Sequence, residues 1–122
     1  MAEHNELGKK GEDIACDYLR KAGYLILDRG WTWLKSELDI VAYFNGRLVI
    51  VEVKTRSSLE YADPDDTIGR KKLLQIYDAT DRYMEVKNIP WEVRYDLITV
   101  IDHGDTWTVD HIEEAFYPFM TR

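Results

Sequence analysis

Asn45-Gly46, set between two runs rich in β-branched residues, constrains this chain more than any other feature. The dipeptide favours a two-residue type I′ turn, whose twist matches that of the strands it joins. Such a turn pairs Phe44 with Arg47 and fixes the register beyond it. Tyr43 then faces Leu48, Val41 faces Ile50, Asp39 faces Glu52 and Glu37 faces Lys54. Asp39 and Glu52 fall in a non-hydrogen-bonded pair, which places their Cβ atoms roughly 4.5–5.5 Å apart. Leu38, Ile40, Ala42, Val49, Val51 and Val53 fill one face of this hairpin. Val41, Tyr43, Leu48 and Ile50 make much of the other face apolar, so both sides should be covered.

Asp39 and Glu52 are thus expected at the edge of buried ground, where two like charges need compensation. A cation supplies it in one reading, and hard carboxylate oxygens suit Mg²⁺ or Mn²⁺ better than zinc. In the other reading Lys54 neutralises Glu37 and Glu52 in a surface ion-pair network. The hairpin alone leaves both open.

The 122 residues, 45% of them hydrophobic, suffice for one domain with its own core, expected to span 1–122. No apolar run is long enough to cross a membrane and residues 1–10 are polar, which predicts a cytoplasmic protein. Cys16 is alone, so neither an internal disulfide nor a zinc site is expected. A net charge of −7 argues against a broad nucleic-acid footprint, so any such contact must be local.

Asn5 is a candidate cap for a helix to about Ala22, with Gly23 ending it and Leu7, Ile14, Ala15, Tyr18, Leu19 and Ala22 facing inward. Gly8 and Gly11 in its first turns suggest close approach to another backbone. Glu12 beside them reads first as an ordinary solvated acid favoured by the helix dipole. A short strand at 24–27 and an irregular or strand-like stretch over 29–33 lead into the hairpin; Trp31 and Trp33 are read as core ahead of a stacking platform for bases. A polar loop follows, 57–67. Asp66 or Thr67 then caps a second helix over 68–87, in whose first turns Arg70, Lys71 and Lys72 oppose the dipole and are well placed to meet phosphate. Strands at 91–101 and 106–112 close the chain, with His111 expected to be structural. The order predicts an α/β fold with helices flanking a mixed sheet.

A carboxylate on a first helix, an Asp on one strand and a Glu-x-Lys on the next, followed by a helix, resembles the PD-(D/E)xK nucleases and their αβββαβ restriction-endonuclease-like core. More narrowly the chain resembles the YraN family of small bacterial proteins. The likeness runs through Gly8-x-x-Gly11-Glu12, Gly23-Tyr24, Glu37-Leu38-Asp39, Val51-Glu52-Val53-Lys54-Thr55-Arg56, Lys72, Tyr83, Arg94-Tyr95-Asp96 and Ala115-Phe116. Trp31, Ser36 and Ala62 depart from the family's usual residues.

The resemblance implies roles. Asp39, Glu52 and the Val53 carbonyl would bind one Mg²⁺ or Mn²⁺, with Glu12 supporting it, and Lys54 would act on the attacking water. Glu37 would tune Lys54, while Arg56, Arg70, Lys71 and Lys72 would meet the nucleic acid. The implied activity is metal-dependent hydrolysis of structured or branched DNA, possible as a homodimer like junction resolvases. The alternative is a non-catalytic nucleic-acid-binding or DNA-maintenance partner module that keeps the fold. Either predicts that Lys54, Arg56, Arg70, Lys71 and Lys72 gather on one face.

Overall fold

The computed structural model describes residues 2–58 and 68–118, and the polar loop with Ala62, Asp66 and Thr67 lies almost wholly outside them. Helix α1 (Ala2–Lys21) precedes strands β1 (Leu25–Trp33), β2 (Ser36–Phe44) and β3 (Arg47–Ser57); helix α2 (Arg70–Lys87) leads to β4 (Glu92–Asp102) and β5 (Trp107–Phe116). The five strands form one mixed sheet in sequence order. Only β3 and β4 run parallel, and a parallel pair needs a crossover, which α2 provides. This is the expected α/β architecture with a helix on each face.

The Asn45-Gly46 turn forms as its chemistry demands, with both residues at positive φ, 53° and 85°. From it the β2–β3 ladder keeps the expected register through Phe44–Arg47, Tyr43–Leu48 and Val41–Ile50, and ends at Ile40–Val51. Asp39 is paired in neither ladder of β2. Face alternation breaks at the same residue. Ile40 and Ala42 pack with Val49 and Val51 on the α1 side, whereas Leu38 joins Val41, Leu48 and Ile50 on the α2 side. The expected placement of Leu38 beside Ile40, and the direct opposition of Asp39 to Glu52, are therefore corrected. The reason is a substituted hydrogen bond. A regular ladder would give the Val53 N–H to the Leu38 carbonyl, but that N–H donates to Asp39 Oδ2 at 2.9 Å.

Helix α1 starts at Ala2, so Asn5 lies inside it rather than at its cap. Its end is as expected: the Tyr24 N–H reaches back to the Leu19 carbonyl around Gly23. Ala15, Cys16 and Leu19 are fully buried, while Leu7 and Ala22 are exposed. Helix α2 begins at Arg70 behind an extended Gly69 that makes no side-chain cap, and not behind Asp66 or Thr67. Ile76, Ala79 and Tyr83 seat it on the sheet. Trp31 belongs to this core, edge-on to Tyr83 with centroids 5.2 Å apart.

The two early glycines differ. Among the described residues a Cβ on Gly8 would meet nothing within 4 Å, but one on Gly11 would lie 2.0 Å from Thr55 Oγ1. Gly11 thus lets α1 settle on the end of β3. Helix propensity alone would have Gly11→Ala stabilise the chain by about 1 kcal/mol. Packing wins here. We expect Gly11→Ala to lower unfolding free energy by about 1–3 kcal/mol, measured by urea denaturation, and Thr55→Ala in the same chain to recover part of the loss. A Gly11→Ala chain as stable as the wild type would refute this seating.

Candidate functional site

The seating of Gly11 brings the next residue, Glu12, over the end of the sheet remote from the Asn45-Gly46 turn. Glu37 and Asp39 arrive at that end from β2. One carboxylate oxygen from each of Glu12, Glu37 and Asp39 lies within 4.8 Å of the others. All three line an open cleft of about 520 Å³, whose wall also includes Lys54, Arg56 and Lys72. Lys9 lines it too, a cation the sequence reading missed. Arg29, also missed, fixes Glu12: its Nε donates to Glu12 Oε1 at 3.0 Å while its Nη2 pairs with Asp13. No local pattern announces Arg29, because its reach to α1 depends on how the helix lies across β1.

Glu52 does not join the three clustered acids. It points to the α2 side, 2% exposed, with Oε1 3.4 Å from Lys72 Nζ and Oε2 buried without a hydrogen-bond partner among the described residues. Burial pushes the Asp39 carboxyl up to about 6, against the pull of the Val53 N–H and of Lys72. Burial, and after it the Asp39 carboxylate, push Glu52 up to about 8, again opposed by Lys72. Both groups hold their protons well above the ordinary carboxylate range because the largely exposed Lys72 offsets only part of their desolvation.

Of the five cations expected on one face, Lys54, Arg56 and Lys72 share the cleft; Arg70 and Lys71 are exposed on the first turn of α2 and do not line it. Val53 lines it beside Lys54. Glu37, expected opposite Lys54 to tune it, has its carboxylate among the acids. His111 is structural as expected, bonded through Nε2 to Asp96 and through Nδ1 to the Tyr18 hydroxyl.

Fold and site together define a small mixed-sheet α/β protein, elements in the order αβββαβ with one further strand, whose carboxylate cleft lies where β2 and β3 part. Comparison with known proteins gives the family. The chain belongs to the YraN-like Uncharacterised protein family UPF0102, whose model matches residues 11–100. It is 50% identical over 118 residues to a UPF0102 protein of Bacteroides thetaiotaomicron, covering 97% of this chain and 98% of the relative. A Phocaeicola vulgatus relative of the same name is 45% identical over the same shares. The UPF0102 protein FP2501 of Flavobacterium psychrophilum is 43% identical, covering 98% of this chain and all of the relative. Among the described residues no helix is long and apolar enough to cross a membrane.

Proposed function

We propose that this protein is a metal-dependent nuclease that hydrolyses phosphodiesters in structured or branched DNA. One observation carries the reading: three carboxylates converge in a cleft whose lining also holds Lys54, Arg56 and Lys72. A hard divalent cation fits this donor set. Asp39 and Glu52 are costly as anions on their own; Lys72 reaches Glu52 Oε1, and Oε2 stays buried without a hydrogen-bond partner among the described residues. Asp39, Glu12 and the Val53 carbonyl would hold Mg²⁺ or Mn²⁺, with Glu37 beside them and Glu52 behind. When bound, the ion supplies Lewis acidity toward a phosphoryl oxygen and makes its water more acidic.

The chain's own groups do the rest. Lys54 faces the same cleft and stabilises the charge that accumulates on the phosphoryl oxygens. Arg56 and Lys72 fix the phosphate and so orient the scissile bond. Arg29 holds Glu12 toward the cluster. Two copies of the chain would cut the two strands of a branched substrate.

The test is calorimetric titration of Mg²⁺ and Mn²⁺ into the wild type and an Asp39→Ala/Glu52→Ala chain, with branched DNA in a parallel series. Saturable binding lost in the variant, with cleavage that follows metal occupancy, is the expected result. Lys54→Ala should keep metal binding and lose about 100-fold in cleavage rate. Metal binding with intact DNA across all substrates would instead favour the second reading, a non-catalytic nucleic-acid or partner module. The net charge of −7 supports that module. A purely structural ion-pair network ranks last, since it accounts for Lys72 with Glu52 and leaves the three converging acids unexplained.

A further inference from the structure

The cleft continues past the acids. Glu37, Asp39 and Lys72 also line a second hollow with Lys35, Ser36 and Gln75. Lys35, Ser36 and Gln75 in turn border a third, of about 410 Å³, closed by Trp33, Leu34 and Asp78. This last space lies between the β1–β2 turn and α2. Its character differs from that of the cleft.

Trp33 is half-buried, belongs to neither core cluster and makes no ring contact among the described residues. Leu34 is 81% exposed at a φ of 55°. A leucine rarely adopts positive φ, and glycine or asparagine would form this turn without that cost. Leu34 gains no burial in return. Strain retained at an exposed position beside a site suggests a role in binding.

Charge decides what enters. Asp78 and Lys35 line the hollow with opposite charges, and just beyond it on α2 lie Asp81, Arg82 and Glu85, of which Arg82 pairs with Glu85. The hollow therefore carries little net charge, and phosphate is held instead in the cleft, near Lys54 and Lys72. A neutral, flat group with an exocyclic amine is suited to the space: it stacks on Trp33, rests against Leu34 and donates to Asp78 or the Gln75 amide oxygen.

We propose that this hollow seats one unpaired nucleobase of the DNA strand whose phosphate occupies the cleft. The inference rests on the nuclease reading and specifies its substrate class: DNA with an unpaired nucleotide next to the scissile bond, with adenine, cytosine or guanine preferred over thymine. The base that stacks on Trp33 is thereby withdrawn from its duplex neighbours.

The probe is a forked DNA duplex with 2-aminopurine as its first unpaired nucleotide. It is titrated in Mg²⁺ against the Lys54→Ala chain, so that the strand stays intact. Binding should quench the probe's emission, and the fork should bind about tenfold tighter than a blunt duplex of the same length. Trp33→Ala added to that chain should abolish the quenching and most of the preference. Leu34→Gly should weaken both without lowering the thermal midpoint, because glycine suits the turn, so a folding defect in the Trp33 variant does not decide the outcome. If both variants keep the quenching and the preference while Lys72→Ala still weakens binding, the base pocket is wrong and the phosphate cleft survives. If no DNA binds at all, both readings are wrong. If Leu34→Gly instead changes only self-association, the surface serves a second copy of the chain and the base pocket is overturned.

Discussion

At pH 8, without divalent metal, a Glu52→Gln chain is expected to unfold at a higher temperature than the wild type. Glu52 holds its proton up to about pH 8 in the folded state and Asp39 up to about 6. The unfolded chain gives up both near pH 4. Between these limits the folded state binds more protons than the unfolded one, so stability falls as pH rises. The loss begins near pH 4 and is complete somewhat above pH 8. Glutamine keeps the shape and removes the Glu52 share, a gain on the order of 2–4 kcal/mol at pH 8. Lys72, 60% exposed, remains solvated and loses little with its partner. At pH 4 the two chains should be nearly equal.

The same linkage gives the metal a signature. A cation that binds the ionised acids must displace their protons, so Mg²⁺ should raise the wild-type thermal midpoint more at pH 8 than at pH 5. The Glu52→Gln chain should show a smaller pH-dependent increment. Thermal denaturation across pH 4–8.5, with EDTA or Mg²⁺, reads all of this. A Glu52→Gln chain less stable than the wild type at pH 8 in EDTA would mean that Lys72 already compensates the buried charge.

The second large effect lies away from the cleft. Asp96, fully buried on β4, accepts from Arg94 Nε at 2.9 Å and Nη2 at 2.7 Å, from His111 Nε2 at 2.7 Å and from the Glu114 N–H at 3.1 Å. Arg94, 7% exposed, also pairs with Glu113 and bonds the Tyr24 hydroxyl. Asp96→Ala leaves that guanidinium buried without its bidentate partner. The expected loss is about 3–5 kcal/mol, a fall in thermal midpoint of more than about 10 °C. Replacing both residues, as Asp96→Leu with Arg94→Met, should cost less than Asp96→Ala alone, since no stranded charge remains. A double variant worse than the single would show that the network contributes net stability.

The pH sign here is opposite to that of Glu52. Burial raises Asp96, but the bonds from His111, Arg94 and the Glu114 amide outweigh it and hold the carboxyl below its ordinary value. Its contribution is present above pH 4 and is lost as pH falls. The two networks therefore pull the stability maximum in opposite directions.

Local rules made the centre of the fold legible in advance. Asn45-Gly46 dictated a turn, the turn dictated five pairs of β2 with β3, and side-chain alternation dictated which of those residues face each helix. Gly23 ended α1 for an equally local reason. The spacing of Glu12, Asp39, Glu52 and Lys54 was legible as a motif, and with it the family. Tertiary structure decided the rest. Asp39 leaves the ladder because its carboxylate captures the Val53 N–H, and this gathers it with Glu12 and Glu37. Arg29 finds Glu12, and Arg94 finds Asp96 and Tyr24, through contacts between elements far apart in the chain. A turn fixes its neighbours through the few dihedrals it sets. Which buried charges end up together depends on where whole helices and strands come to rest, and that follows from filling both faces of the sheet at once.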